Sequence, residues 1–552
     1  MNHRHTRPSP RRGRPAALAA AAAALTLALA ACGGGSSGAG STASDGGSPV
    51  DGGALSFALQ NDPISLNPSG TGSGNDTLYV TRQLVDSLLY QDPKDGSLQP
   101  WLASSWKASA DARTFTFTIR DGVTFSDGTP LTAQSVKDTF DDVVKNGAKA
   151  LNAVTAFVGL DTITVKGDTV TVRFKAPNAA FPQATSQVGL GILGASTLAT
   201  PFDERADGSK LVGSGPYVLE HYTKNVETVL KKRDGYTWAP AAFDNTAGAH
   251  LDSVTFKVVP EAGVRTGTLT SGQSDVIGGV QPNDVAQLDG AGLPVVYRAN
   301  PGVTFGLTFN EGSPFGKDPE LRKAVALAID PKEVRDTALN DKFAVATSPL
   351  GVTTPGYTDV STEGTALVTD ADQAKQVLDA DGWKAGSDGL RSKDGKALSL
   401  KIEWISNFAP NQTALELIQQ ELKAVGIGVT LETGSVPEYL QKLQTGDYDA
   451  AWGNSSRADG DILRTSYSTA ATNYYQLDDP TLEKLLQEQL AAGDATQRDE
   501  VLAQAQERLV TQHHTVPVFE LTSIIGTQKD VHGVSLGADS RLDLLVDAWK
   551  AK

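Results

Sequence analysis

The chain has 552 residues and a formal net charge of −16 at neutral pH, with 64 acidic and 48 basic side chains. Such an acidic surface repels phosphate backbones, so the composition argues against a nucleic-acid-binding protein. One hydrophobic core serves at most roughly 250–300 residues, and a chain of this length is therefore expected to form at least two lobes. The single cysteine excludes an intrachain disulfide and a zinc–thiolate cluster.

Residues 1–31 have the pattern of an export signal. Basic residues come first, and a run of Ala, Leu and one Thr follows from Ala16 to Ala31. This run is shorter than the roughly 20 residues that span a bilayer. Leu29-Ala30-Ala31-Cys32 forms a lipobox. We therefore predict cleavage before Cys32, acylation of its thiol and a lipid anchor on the outer face of the cell membrane. The alternative is a short transmembrane anchor with an inert Cys32, and the Arg11-Arg12 pair leaves Sec and twin-arginine export both open.

Residues 32–53 consist almost entirely of Gly, Ser and other small residues and predict a flexible tether behind the lipidated Cys32. Beyond it, strand and helix patterns alternate irregularly, which is typical of an α/β fold. The strict alternation at 114–119 predicts a half-buried strand. Thr132 starts a predicted helix that ends at Gly147. A hairpin is predicted between strands at 162–165 and 169–174.

The second half of the chain continues this mixture. Further strands are predicted at 254–259, 295–297, 303–309, 398–405 and 427–432. Asp318-Pro319, Asp330-Pro331 and Asp479-Pro480 each place a capping carboxylate before a proline, which predicts three helix starts. Helices are also predicted at 372–380 and, with one apolar face, at 497–512.

Five segments occur in an order that suggests a family. Residues 115–140 read FTFTIRDGVTFSDGTPLTAQSVKDTF, and GSGPY follows at 213–217. LRKAVALAID at 321–330, the segment 374–383 and VPVF at 516–519 complete the series. Together they resemble the peptide/nickel-type solute-binding proteins of ABC importers, called family 5. Each segment also has a purely structural reading, in which Phe115 and Phe117 are core residues and the glycines form turns.

The resemblance implies a two-lobed α/β clamp of the periplasmic-binding-protein type (type II, cluster C). Mixed β-sheets flanked by helices and an extra subdomain in lobe I are expected. Lobe I would comprise residues 54–300 and 518–552, and lobe II residues 301–517. Candidate hinges are Asn300-Pro301-Gly302 and the region around Val516-Pro517, and closure would enclose a ligand between the lobes.

The segment 448–461 is the predicted ligand-contact segment. In peptide-binding relatives the part after the tryptophan, here Trp452, lies in the cleft, and an Asp three positions later pairs with the peptide ammonium. This chain has Ser455 at that position, or Ser456 if one residue is inserted. The predicted ligand-binding residues are Trp452, Asn454, Ser455, Arg457, Asp459, Asp461 and Tyr79, with Tyr90, Tyr474 and Tyr475 as candidate aromatic walls. The alternative is a surface loop in which Asp459 and Asp461 are solvated and Trp452 belongs to the local core.

Neither a metal site nor a cofactor nor a catalytic residue is expected. His513 and His514 point about 100° apart on a helix, so they do not share one ion. The sequence has no HExxH motif, and the GxSxG and GxGxxG matches in the tether neither follow a predicted strand nor open a helix, so they reflect composition.

We therefore predict an extracytoplasmic or periplasmic lipoprotein that is not an enzyme. As a monomer it would capture oligopeptides or similar polar solutes and deliver them to ABC permease subunits. Through the permease it would also be a partner of ATPase subunits. Contact with the membrane would be through the lipid alone. A nickel or other metal complex and an oligosaccharide are alternative ligands within the family. A secreted glycosidase or peptidase is the alternative from a different class.

Overall fold

The computed structural model describes residues 47–71, 74–361 and 367–552. The predicted signal, Cys32 and most of the predicted tether lie outside these residues. Within the described part of the chain, every helix is too short or too polar to cross a membrane.

The strands account for most of the framework of the protein. They are β1 (Ala54–Leu59), β2 (Leu89–Gln91), β3 (Leu98–Pro100), β4 (Ala103–Ala108), β5 (Thr114–Ile119), β6 (Leu160–Lys166), β7 (Thr169–Phe174), β8 (Tyr217–Thr223), β9 (Glu227–Lys232), β10 (Ser253–Val258), β11 (Val276–Ile277), β12 (Val295–Ala299), β13 (Gly302–Phe309), β14 (Lys384–Ala385), β15 (Arg391–Lys393), β16 (Lys396–Ala397), β17 (Ser399–Ile405), β18 (Gly428–Gly434), β19 (Ala450–Ser456), β20 (Thr515–Phe519), β21 (Thr522–Thr527), β22 (Val531–His532) and β23 (Trp549–Lys550).

Helices flank these strands throughout the chain. They are α1 (Asn75–Thr81), α2 (Ala133–Asn146), α3 (Leu151–Thr155), α4 (Phe181–Ala184), α5 (Ala195–Ala199), α6 (Ala262–Thr270), α7 (Pro282–Gly290), α8 (Pro319–Ala328), α9 (Pro331–Ala338), α10 (Ala371–Ala380), α11 (Pro410–Ala424), α12 (Val436–Thr445), α13 (Ile462–Tyr467), α14 (Pro480–Ala491) and α15 (Ala495–Thr511).

Sheet A has seven strands in the order β12-β21-β11-β1-β10-β9-β8. β1 runs parallel to β10 and β11, whereas β21 runs antiparallel to β11 and β12. One face carries Phe57 and Val296 in a core that includes Tyr79. The other face packs on α6 and α7 through Leu269 and Leu288. Burial on both faces explains why β1 is apolar at almost every position.

Sheet B has five strands in the order β18-β17-β19-β13-β20. β17 runs parallel to β18 and β19, and β13 runs antiparallel to β19 and β20. Its core contains Phe305, Trp404 and Trp452, covered by apolar residues of α8 and α11. Sheet B uses only residues between 302 and 519, whereas sheet A uses residues before 300 and after 521.

The chain passes between the two sheets twice, and we call residues 299–302 and 519–522 the crossing region. Ala299 of β12 pairs with Thr522 of β21, so the two passages lie side by side. Gly302 has φ 113°, and a Cβ there would lie 2.2 Å from the carbonyl oxygen of Ser455. Only glycine fits this position. The predicted lobe boundaries stay a prediction.

A third sheet, sheet C, has four antiparallel strands in the order β4-β5-β7-β6 and packs on α2. Phe115 and Phe117 of β5 are buried and both contact the ring of Phe181. Their predicted role as core residues is confirmed. The strand at 114–119, the hairpin β6–β7 and helix α2 with its Thr132 cap also match the sequence predictions.

The three Asp-Pro helix starts are confirmed as well. The carboxylates of Asp318, Asp330 and Asp479 each accept a backbone N–H in the first turn of α8, α9 and α14. The alternative for residues 448–461 is wrong about a surface loop, because this segment supplies β19, which lies between β17 and β13 of sheet B. Its placement of Trp452 in the local core is confirmed.

Candidate functional site

The carboxyl ends of the parallel strands of both sheets meet at the crossing region. β1, β10, β11 and β12 point their carboxyl ends to this edge of sheet A, and β17, β18, β19 and β20 do so in sheet B. In open α/β sheets ligands bind beyond the carboxyl ends of strands. This shared edge is therefore the candidate site.

Arg265 of α6 holds the sheet A side of this edge together. Its guanidinium donates hydrogen bonds to the carbonyl oxygens of Val259, Pro260, Gly278 and Gly279, at 2.8 to 2.9 Å. Those carbonyls directly follow β10 and β11, and Arg265 is only 1% exposed. The fork of one arginine thus fixes the ends of two strands.

Tyr79, the predicted ligand residue in this half, lies in α1 with its ring against Phe57. The side chain is 2% exposed, and burial raises the pKa of its hydroxyl group. The ring is a scaffold element. The hydroxyl group makes no hydrogen bond within the described part of the chain, so it is available to a ligand.

Trp452 is buried inside sheet B. Its indole packs against Phe305 and Phe519, with ring centroids 5.8 and 5.7 Å away. Its Nε1 donates a 3.0 Å hydrogen bond to Oδ1 of Asn411. These contacts place the side chain in the local core, and its predicted contact with ligand stays a prediction.

The residues after Trp452 approach the crossing region along β19. Ser455 is exposed, and Asn454 and Ser456 are half-buried. Among the described residues, none of these three side chains has a hydrogen-bond partner. They are the members of the predicted segment whose polar atoms remain free.

Asp459 and Asp461 follow β19 and are 3% and 2% exposed. Arg498 donates two hydrogen bonds to Asp459, at 2.9 and 2.5 Å. Arg464 donates two to Asp461, at 2.7 and 2.9 Å, and Arg457 a third at 3.3 Å. The carboxylates are therefore not solvated, and these ion pairs fix the loop that carries them. Direct contact of Asp459, Asp461 or Arg457 with ligand stays a prediction.

This loop contacts the opposite half of the molecule. The side-chain nitrogen of Gln91, in β2, donates a 2.8 Å hydrogen bond to the carbonyl oxygen of Ala458. Further away, the backbone N–H of Ala179 donates to the carbonyl oxygen of Leu490 at 3.0 Å. The two halves thus touch directly at two places.

Sequence reasoning missed three donors near this edge. The Nε atoms of Arg298, at the end of β12, and of Arg541 are buried without an acceptor among the described residues. The indole Nε1 of Trp404, at the end of β17, is likewise buried without an acceptor among the described residues. Arg298 could have been found, because it lies two residues before the predicted hinge at Asn300. Arg541 belongs to no motif.

The paired histidines have structural partners. His514 contacts Glu311 through Nδ1 at 2.5 Å and Asp479 through Nε2 at 2.9 Å. Burial lowers the pKa of His513 to about 4. Within the described residues, no group of three or more His, Cys, Asp or Glu side chains is arranged to hold a metal ion.

Comparison with known proteins relates the chain to a defined group. The model of the bacterial extracellular solute-binding proteins, family 5 Middle, matches residues 97–475. The nickel-binding periplasmic protein of Escherichia coli (strain K12) is 24% identical over 498 residues, which cover 85% of this chain and 90% of that protein. The oligopeptide-binding protein AppA of Bacillus subtilis (strain 168) is 24% identical over 535 residues, covering 93% and 94%.

A solved structure shows the same fold. NikA from Brucella suis in complex with Fe(III)-EDTA gives a TM-score of 0.79 at 22% identity, covering 90% of this chain and 100% of that chain. The predicted fold class, a periplasmic-binding-protein type with mixed sheets flanked by helices, is confirmed.

Proposed function

The chain belongs to family 5 of the bacterial extracellular solute-binding proteins, and we propose that it captures a small polar solute outside the cytoplasm and delivers it to an ABC permease. The family consists of substrate-binding proteins of transport systems, not of enzymes. The observation that carries the proposal is the family match over residues 97–475.

The binding site would lie at the crossing region, between the carboxyl ends of the two sets of strands. Lobe I would comprise residues 54–300 and 518–552, and lobe II residues 301–517, as the sequence predicts. The two passages at 299–302 and 519–522 would act as the hinge. Ligand would stabilise the closed form by binding it more tightly than the open form.

The ligand would be an oligopeptide or a similar polar solute. Two named relatives support this class, the oligopeptide-binding protein AppA and the probable D,D-dipeptide-binding periplasmic protein DdpA. The unpartnered side chains of Asn454, Ser455 and Ser456 would supply hydrogen bonds on the sheet B side. The likeness to the nickel-binding periplasmic protein makes a metal complex the second candidate.

The protein would act from the outer face of the cell membrane as a lipid-anchored monomer. The support is the lipobox at Leu29–Cys32, followed by a tether of small residues. Permease subunits would receive the solute, and cytoplasmic ATPase subunits would supply the energy.

Native mass spectrometry of the purified mature protein tests the ligand class. We expect extra mass from a co-purified solute, resolved as a series of short peptides after gentle unfolding. A single metal chelate or a sugar would redirect the ligand assignment. Turnover of a peptide or glycoside by the purified protein would contradict the proposal.

A further inference from the structure

A turn near the C terminus, residues 536–542, lies against the crossing region. Its two ends pair at Leu536 and Leu542. At its tip Ser540 has φ 59°, and its hydroxyl group donates a 2.7 Å hydrogen bond to the carbonyl oxygen of Ala299. The same carbonyl accepts a hydrogen bond from Thr353 at 2.9 Å. The turn is thereby fixed next to the end of β12 and next to the opposite half.

Two arginines at this place have unused donors. Arg298 makes neither a side-chain hydrogen bond nor an ion pair within the described residues, and its Nε is buried. Arg541 donates one hydrogen bond, from Nη1 to the carbonyl oxygen of Asp539 in its own turn, at 3.0 Å. Its Nε is also buried without an acceptor. A buried donor without an acceptor costs about 1–3 kcal/mol, so such donors are normally paired.

The hydroxyl group of Tyr79 belongs to the same cluster. Arg541 and Asp539 are among the charges that act on Tyr79, and Asp539 is the first of the charges that act on Arg298. Tyr79 is 2% exposed and its hydroxyl group is unpartnered among the described residues. The hydrogen bond from Ser540 to Ala299 brings Arg541 beside Arg298, because each arginine adjoins one of the two bonded residues along the chain.

The neighbouring carboxylates are occupied by other donors. Asp543 accepts hydrogen bonds from Tyr90 at 2.8 Å and from the backbone of Leu544 at 2.9 Å. Asp92 accepts hydrogen bonds from the backbone N–H of Lys94 and from the side-chain amide of Gln99, both at 2.8 Å. Asp539 accepts from the backbone of Arg541 at 3.1 Å, with its other oxygen 3.9 Å from Nη1 of Arg541. These groups balance the charge of Arg298 without bonding to it.

We infer that Arg298 and Arg541, together with the Tyr79 hydroxyl group, form an anion-binding site for a carboxylate of the captured solute. The inference rests on the proposed function and specifies its substrate class. A carboxylate supplies the acceptors that these donors lack, and arginine binds it through two parallel hydrogen bonds. Tyr90 and Asp92 flank Gln91, which contacts Ala458, so the site faces the loop that follows β19.

Isothermal titration calorimetry with three probes tests the site: trialanine, trialanine amide and succinate. We expect the free acid to bind at least about tenfold more tightly than the amide, because only the acid pairs with a guanidinium. Arg298→Met should remove this preference by lowering the affinity for the free acid alone. Arg541→Met should lower the same affinity. Arg298→Lys should restore part of it, since lysine keeps the charge but not the fork.

The matched control is Arg173→Met, which makes the same substitution at an exposed arginine of sheet C that pairs with Asp161 at 3.4 Å. It should leave all three affinities unchanged. Succinate binding that Arg298→Met abolishes would support the site and identify an organic acid as the source of the carboxylate.

Equal affinity for acid and amide in the unmodified protein would overturn the anion site and leave the proposed function intact. An equal loss of both affinities in an Arg298→Met protein that keeps the circular dichroism spectrum of the original would do the same, because the anion site predicts a weaker affinity for the acid alone. Failure to bind any of the three probes would also contradict this inference. The proposed function is then judged separately by the co-purified solute.

Discussion

The side chain of Trp452 stabilises sheet B. It is enclosed by Phe305 and Phe519, and Asn411 accepts its only polar hydrogen. The sequence predicted a ligand-contact segment, which stays a prediction, but residue identity alone could not show which side of β19 each residue faces. Among the described residues, the side chains of Asn454, Ser455 and Ser456, which follow Trp452 on the same strand, have no hydrogen-bond partner. The candidate site was therefore predicted as a segment and not as a set of side chains.

Replacing Trp452 with alanine should destabilise the protein by about 3–5 kcal/mol, because it leaves a cavity in the aromatic core. Urea unfolding followed by circular dichroism measures this loss. The control Ser455→Ala changes an exposed residue of the same strand and should leave stability within about 0.5 kcal/mol of the original. Trp452→Ala with unchanged stability and lost binding would place the indole in the ligand site instead.

Glu520 has an unusual position, since it lies in the second passage between the sheets. It is 1% exposed, and the side chain accepts hydrogen bonds only from the backbone N–H of Val352, at 3.1 and 3.3 Å, among the described residues. Burial raises the pKa of this carboxyl group to about 7. The folded protein therefore favours neutral Glu520, whereas in the unfolded chain the carboxyl group ionises near its ordinary pKa of 4.5.

The stability contributed by neutral Glu520 is fully present below the unfolded pKa and is lost as the pH rises through about 7. Glu520→Gln is neutral at every pH. It should match the original protein at pH 4 and exceed it at pH 8 by roughly 3 kcal/mol. Chemical denaturation at both pH values gives the two differences. The exposed control Glu500→Gln should show little change at either pH, and a pH-independent effect of Glu520→Gln would contradict the assignment.

At the scale of elements, the start of a helix could be predicted from neighbouring residues, whereas a strand defined by pairing with distant segments could not. The helices that follow Asp318, Asp330 and Asp479 begin where predicted, because a carboxylate before proline caps a helix wherever it occurs. β21 was not predicted. β21 is a strand because it pairs with β11 and β12, which are more than two hundred residues away along the chain. The residues of β21 alone do not reveal this pairing.

Arg265 connects elements in the same non-local way, since it joins α6 to the ends of β10 and β11. Arg265→Met should lower the free energy of unfolding by about 3–5 kcal/mol, because it leaves buried carbonyl oxygens without donors. Arg265→Lys should recover only part of this loss, since an ammonium group cannot reproduce the fork. Urea unfolding monitored by tryptophan fluorescence measures both, with Arg173→Met as the exposed control. Stability unchanged in Arg265→Met would refute this role.

At the scale of the whole molecule, the sequence predicted two lobes and a hinge near Asn300 from length and family resemblance. It did not predict which groups of the two halves touch. Those contacts depend on side chains from distant segments, such as Gln91 and the backbone of Ala458. In the proposed clamp these contacts join the two lobes in the closed form, and they would favour closure before any ligand contributes.

Gln91→Met removes one such contact and should reduce the closed population. A hydrogen bond is worth about 1 kcal/mol, so affinities for trialanine and its amide should fall by roughly fivefold alike. This equal loss distinguishes closure from the anion site. Calorimetry gives the affinities, and small-angle scattering of the ligand-free protein should show a larger radius of gyration. Gln134→Met, at an exposed site on α2, is the control, and unchanged values for Gln91→Met would exclude the contact as a determinant of closure.

The order of strands has a consequence for biogenesis. Among the described strands β12 pairs only with β21, and β21 also separates β12 from β11. Sheet B is complete in a nascent chain that has reached Phe519, whereas sheet A still lacks the strand that joins its two parts. During export the half that contains sheet B can therefore mature first, whereas sheet A must wait for β21.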